Sequence, residues 1–173
     1  ERVCIKNMKL QKSIFAIRLI FLGFLFSTIP VSAAVLTIQQ VIELAENGNT
    51  MAQASLGSGY GLGRDGLSKD EAKSFYWFNR AAEQGHASSQ YLTGFNYRDG
   101  SGVRQDYQKA LYWLKKSSDQ RYAPAQFSLG VMYNSGEGVR QNKSTAKEWF
   151  GKACDNGAQE GCDSYRRLNE RGY

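Results

Sequence analysis

Proline is scarce in this 173-residue chain, with two residues, and histidine occurs once, as His86. Few prolines leave helices uninterrupted. A lone histidine rules out a histidine-rich metal centre. No proline- or serine-rich stretch divides the chain, and 42% hydrophobic with 22% charged residues suits one globular domain. The apolar run from Leu19 to Phe26 is shorter than the ~20 residues a bilayer-spanning helix needs, and Arg18 interrupts the stretch before it. An excess of charge away from the N-terminus is also missing. The formal net charge is +6, but residues 1–33 hold five of the 22 basic residues and one of the 16 acidic ones. The remainder carries a net charge of +2, which gives little attraction for phosphate and argues against nucleic-acid binding.

The N-terminal segment reads as an export signal. Met8 stands as a start, followed by Lys9 and Lys12, the apolar run, Pro30 and then Val31-Ser32-Ala33. This order of basic, apolar and small residues predicts a secretory signal peptide over 8–33, cleaved after Ala33. The alternative is a retained membrane anchor. Ala34, not cysteine, follows the cleavage point, so the pattern does not support lipidation. Cys4 precedes Met8 and would be lost, leaving Cys154 and Cys162.

What the chain has is a repeat. Trp77, Trp113 and Trp149 are each 36 residues apart; Tyr60, Tyr97 and Tyr133, like Gly57, Gly94 and Gly130, are 37 and then 36 apart. A fixed period of this size marks a solenoid whose units bury their apolar faces on one another. The stretch 123–157 shows one unit clearly. Ala125, Leu129, Gly130 and Tyr133 share one helical face, a glycine-rich turn follows at 134–138, and Ala146, Trp149, Phe150 and Ala153 share a second face. The extra residue of the first unit lies between Tyr60 and Gly66.

The pattern A-x-x-x-L-G-x-x-Y, then G-x-G-V, then K-A-x-x-W-(F/Y)-x-K-A-A-x-x-G resembles the Sel-one-like repeat, a relative of the tetratricopeptide repeat. The third unit carries it as Ala125, Leu129, Gly130, Tyr133, Gly136, Gly138, Val139, Ala146, Trp149, Phe150, Lys152, Ala153 and Gly157. In the second unit Thr93 replaces the usual leucine, and the first has an irregular turn. The resemblance implies an all-α, right-handed α/α solenoid of about three helix-turn-helix repeats over 37–171. It divides into a cap helix at 37–47, repeats at 50–86, 87–122 and 123–158, and a C-terminal cap helix at 159–171. Thr37 and Gln40 form a candidate capping box for the first helix.

Cys154 and Cys162 fall near the end of one helix and early in the next, positions whose Cα atoms can come within disulfide range. Their spacing is similar to that of the cysteine-rich branch of the family, in which such pairs bridge consecutive helices. A bond is expected in an oxidising compartment; a reduced pair and half a metal site are the alternatives. A metal site would need further ligands, and His86 is two repeats away.

Four features suggest chemistry and each has a simpler reading. Gly61-Leu62-Gly63-Arg64-Asp65-Gly66 matches the dinucleotide fingerprint G-x-G-x-x-G, but it follows a helix where that fingerprint needs a strand. Its glycines are expected to supply the positive φ of an inter-helix turn. Ser144-Thr145-Ala146-Lys147 matches S-x-x-K, without the S-D-N or K-T-G elements that accompany it in penicillin-recognising enzymes. It reads as a helix start with a solvated lysine. His86 decorates the junction between two repeats. The paired aromatics Tyr76, Trp77, Tyr112, Trp113, Trp149 and Phe150 recur with the repeat and read as packing, not as a base-stacking platform.

In tetratricopeptide-like folds the first helix of each pair lines the concave face. With Gly94 and Gly130 in the small-residue position, that face would hold Tyr91, Phe95, Arg98 and Asp99, with Phe127, Val131 and Asn134 beside them. The corresponding residues of the first repeat, Ala54, Ser58 and Gly61, are small. An aromatic floor with charged and polar rims suits protein recognition. Packing between repeats is an equal alternative for Phe95, Phe127 and Val131. The expected function is that of an exported, periplasmic or secreted scaffold. It would act as a monomer that binds a protein partner, with no catalytic residues, metal or cofactor. The resemblance also implies alternatives: a weak hydrolase of cell-wall-like amides or β-lactams using Ser144 and Lys147, or an immunity protein neutralising a toxic effector; a purely structural envelope component is a further rival.

Overall fold

The computed structural model describes residues 36–173, so the predicted signal peptide at 8–33 lies outside the described residues. Among the described residues there are eight α-helices and no strand. They are α1 (Ile38–Glu46), α2 (Thr50–Leu62), α3 (Glu71–Glu83), α4 (Ala87–Asp99), α5 (Tyr107–Asp119), α6 (Ala123–Ser135), α7 (Lys143–Asp155) and α8 (Gln159–Glu170). Each helix packs on its sequence neighbour. This is the all-α repeat solenoid that the 36-residue period predicts. None of the described helices is long and apolar enough to cross a membrane.

Local chemistry sets the helix ends. Thr37 and Gln40 form the capping box of α1, with the Gln40 N–H donating to Thr37 Oγ1 at 3.3 Å and the Thr37 N–H to Gln40 Oε1 at 2.8 Å. The second helices of the pairs, α3, α5 and α7, start at Asp70, Asp106 and Asn142, whose side chains accept main-chain N–H groups of the first turn. The first helices α2, α4 and α6 end on left-handed Gly63, Gly100 and Gly136. The irregular first turn takes its additional residue with Asp65 at φ +60°. One expectation changes here. Gly61 lies inside α2 and not in the turn, and a Cβ there would sit 2.9 Å from Ser74 Oγ. Close approach to α3, not positive φ, accounts for that glycine.

The repeat landmarks pack within each pair. Leu56, Leu114, Leu129 and Met132 are fully buried, and a Cβ added at Gly130 would lie 2.5 Å from the Phe150 ring. Thr93, where the flanking repeats have Leu56 and Leu129, is buried with no hydrogen-bond partner for its Oγ1 among the described residues.

A polar ladder joins consecutive units. Gln53, Gln90 and Gln126 are buried, and their Nε2 groups donate to Ala45 O, Ala82 O and Ser118 O on the preceding helix. Their Oε1 atoms accept from Gln84, Gln120 and Asn156, the residues that end α3, α5 and α7. Each amide thus adds a second donor to a carbonyl near a helix C-terminus that also accepts the N–H of Gly48, Gly85 or Arg121. At the far end Cys154 and Cys162 form a disulfide with Cα atoms 4.6 Å apart, tying α8 to α7.

Candidate functional site

Two open grooves lie side by side where α4, α6 and α8 come to the surface, and both are bordered by Val131. The first, of about 430 Å³, is lined by Arg98, Asp99, Gln105, Tyr107, Val131 and Glu137. Helix α4 positions its charged wall. The Arg98 guanidinium stacks 4.6 Å above the Phe95 ring, while Nε donates to Asp99 Oδ1 at 2.7 Å and Nη2 to Oδ2 at 3.3 Å. The hydrogen bond to Asp99 raises the Arg98 pKa above its ordinary value and holds the guanidinium charged. Tyr91 extends the aromatic row, 6.2 Å from Phe95 and 5.6 Å from Tyr122, and burial pushes the Tyr122 phenol up.

The second groove, about 230 Å³, runs between α6 and α8. Phe127 and Val131 form its floor with Phe150 and Leu168, and the Phe127 and Phe150 rings are 5.4 Å apart. Lys143, Arg167 and Arg171 stand around it. The Lys143 ammonium donates to both the main-chain and the side-chain oxygen of Asn134, each at 2.9 Å. Arg167 donates to Ser164 Oγ at 3.0 Å.

The seven residues of the sequence reading therefore fall into two groups. Arg98, Asp99 and Val131 share the first groove, with Tyr91 and Phe95 stacked beside it; Phe127, Val131 and Asn134 share the second. Ala54, Ser58 and Gly61 line neither. Arg98 and Asp99 are less free than their sequence positions suggest, because each neutralises the other and the Arg98 side chain is only 19% exposed. Asn134 spends its acceptors on Lys143.

The sequence reading missed Lys143, Ser164, Arg167 and Arg171. A signal for two of them was present: Ser164 and Arg167 stand 36 residues after Ser128 and Val131, so carrying the period into α8 finds them. Lys147 also departs from expectation. It is not simply solvated, since its ammonium donates to Asn169 Oδ1 at 3.2 Å and to the Tyr173 main-chain oxygen, and it lies 5.7 Å from the Tyr165 ring centre. His86 sits at the N-cap of α4 with Nδ1 2.8 Å from Ser89 Oγ. Among the described residues no cluster of three or more histidine, cysteine or acidic side chains could hold a metal ion.

The Sel1 repeat model matches residues 50–86, 87–122 and 123–157. The chain belongs to the Sel1 repeat family. Solved structures of this family align with it over most of its length. A Sel1 repeat protein from Oxalobacter formigenes is 35% identical, with a TM-score of 0.66, over 75% of this chain and 98% of that one. The protective antigen c5321 of uropathogenic Escherichia coli, which displays an SLR fold, is 38% identical with a TM-score of 0.69 over 73% of this chain. This chain spans only 27% of that longer protein. Helicobacter pylori cysteine rich protein B is 25% identical with a TM-score of 0.56, over 73% of this chain and 90% of that protein. Among curated proteins no relative matches. In this Sel1-repeat chain the landmarks Leu56, Trp77, Leu129 and Phe150 are spent on packing between helices. Apart from Phe150, the groove residues fall outside the repeat landmarks.

Proposed function

We propose that this Sel1-repeat protein is exported and binds another protein through the concave face formed by α4, α6 and α8, without catalysis. The observation that carries this reading is the pair of neighbouring grooves that share Val131 and open aromatic, charged and amide side chains to the surface. Aromatic and arginine side chains at the centre of such a surface are the residue types that dominate protein recognition. Export is supported by the Cys154–Cys162 bond, which suits an oxidising compartment, and by the signal-like segment at 8–33. A non-catalytic role is supported by the commitment of Lys147 to α8, which takes it from the S-x-x-K pairing.

The test uses the oxidised protein as bait in envelope extracts, beside a variant carrying Phe95→Ala and Arg98→Glu. A partner retained in stoichiometric amount by the natural protein and lost by the variant is the expected result. A partner held equally by both places the contact elsewhere. N-terminal sequencing of the envelope form is expected to begin at Ala34.

A further inference from the structure

We infer that the α6–α8 groove receives an acidic stretch of extended polypeptide, with an aspartate or glutamate set next to a large apolar side chain. This deepens the concave-face reading and rests on it. Three cations, Lys143, Arg167 and Arg171, surround the groove, and no carboxylate is among its lining residues. Among the described residues none of the three lies within 4.0 Å of a carboxylate, whereas Arg64, Lys69, Lys73, Arg98, Lys109 and Arg166 each have an acidic partner. The polar contacts of the groove cations are neutral oxygens. Lys143 is half-buried and held by Asn134 alone, and Arg167 bonds the Ser164 hydroxyl.

Like charges gathered at an apolar wall repel one another, and an incoming carboxylate relieves that cost. The adjoining groove lacks this imbalance, because Arg98 is already paired with Asp99 and Glu137 lies on the same wall. The apolar half of the specificity comes from Phe127, Val131 and Leu168. Size and shape favour a chain over an enclosed ligand. About 230 Å³ is below the roughly 300–1,000 Å³ of ordinary small-molecule pockets, and Val131 also borders the neighbouring groove. A segment that lies across Val131 can reach both grooves with acidic side chains, whereas a terminal carboxylate would end the chain inside one of them.

The test pans random dodecapeptides, displayed on phage, against the oxidised full-length protein. Selected peptides are then made with amidated C-termini and measured by fluorescence anisotropy. The expected peptides carry Asp or Glu within two residues of Phe, Leu, Ile or Met, and bind more weakly as salt is added. Arg167→Glu, and separately Arg171→Glu, should weaken them by roughly tenfold or more, as should Glu→Gln in the peptide. Both arginines are exposed, and unchanged circular dichroism and melting will show that the variants fold.

Selected peptides without acidic enrichment, or bound equally by the charge-reversed variants, overturn the inference. If those peptides still lose binding to the Phe95→Ala, Arg98→Glu variant, the concave-face reading survives that result. Binding only with a free C-terminus overturns it in favour of a terminal carboxylate. Failure to retain any peptide, or capture of a single-stranded oligonucleotide in place of peptides, overturns both.

Discussion

Asn156 Nδ2 donates to Gln126 Oε1 across 2.9 Å, linking the end of α7 to a glutamine buried in α6, whose own Nε2 reaches back to Ser118 O. The same relationship joins Gln84 to Gln53 and Gln120 to Gln90. Replacing Gln126 with alanine removes two hydrogen bonds, each worth about 0.5–1.5 kcal/mol net, and should destabilise the protein by about 1–3 kcal/mol. In urea melts, Asn156→Ala should cost clearly less in a Gln126→Ala background than alone. Additive effects would mean that the ladder is incidental.

Thr93 is the opposite case, a buried hydroxyl with nothing to bond among the described residues. Thr93→Val keeps the shape and removes the polar atom, so it should stabilise the fold by about 1–2 kcal/mol. Thermal melting reads this directly, and a lower melting temperature would show that the hydroxyl is satisfied in solution.

The disulfide holds the last helix, and with it Ser164, Arg167 and Arg171 of the second groove. Changing Cys154 and Cys162 to serine should cost about 2–3 kcal/mol on the chain-entropy account. Loss should begin at α8, the helix that the bond ties to α7. Hydrogen exchange should therefore show α8 losing protection before α6. Equal loss along the chain would contradict a local clamp.

Asp70 caps α3, and the N–H of Lys73, donating to Oδ1 at 2.9 Å, lowers its pKa below the ordinary value. A depressed carboxylate contributes stability that is complete above its unfolded pKa, about 3.9, and is lost as pH falls through the lower folded value. Asn at this position keeps a cap and cannot titrate. The difference in melting temperature between the natural protein and Asp70→Asn should therefore narrow as pH drops below about 4. A difference that stays constant down to pH 2 would remove Asp70 from the acid response.

Much of the scaffold is legible in the sequence. The 36-residue recurrence of Trp77, Trp113 and Trp149 identifies the units, and the glycine clusters mark the turns within them. The cysteine spacing pointed to the bond now seen between α7 and α8. The site was legible only in part. Phe127, Val131 and Asn134 do come together, but the cations opposite them lie on α8, which reads from sequence as a charged cap.

The sequence by itself determined the helices, their pairing and the number of units. Those depend on which residues share a helical face and on glycines that turn the chain, and both are properties of neighbours a few residues apart. Only the tertiary structure decided which polar groups find one another. It paired Arg98 with Asp99, drew Lys147 to Asn169 and Tyr173, joined Gln126 to Asn156 and left Lys143, Arg167 and Arg171 around one apolar groove. A shared face brings side chains into the same neighbourhood. A hydrogen bond requires its atoms within a few tenths of an ångström, and that depends on how units stack across 20 to 36 residues of chain.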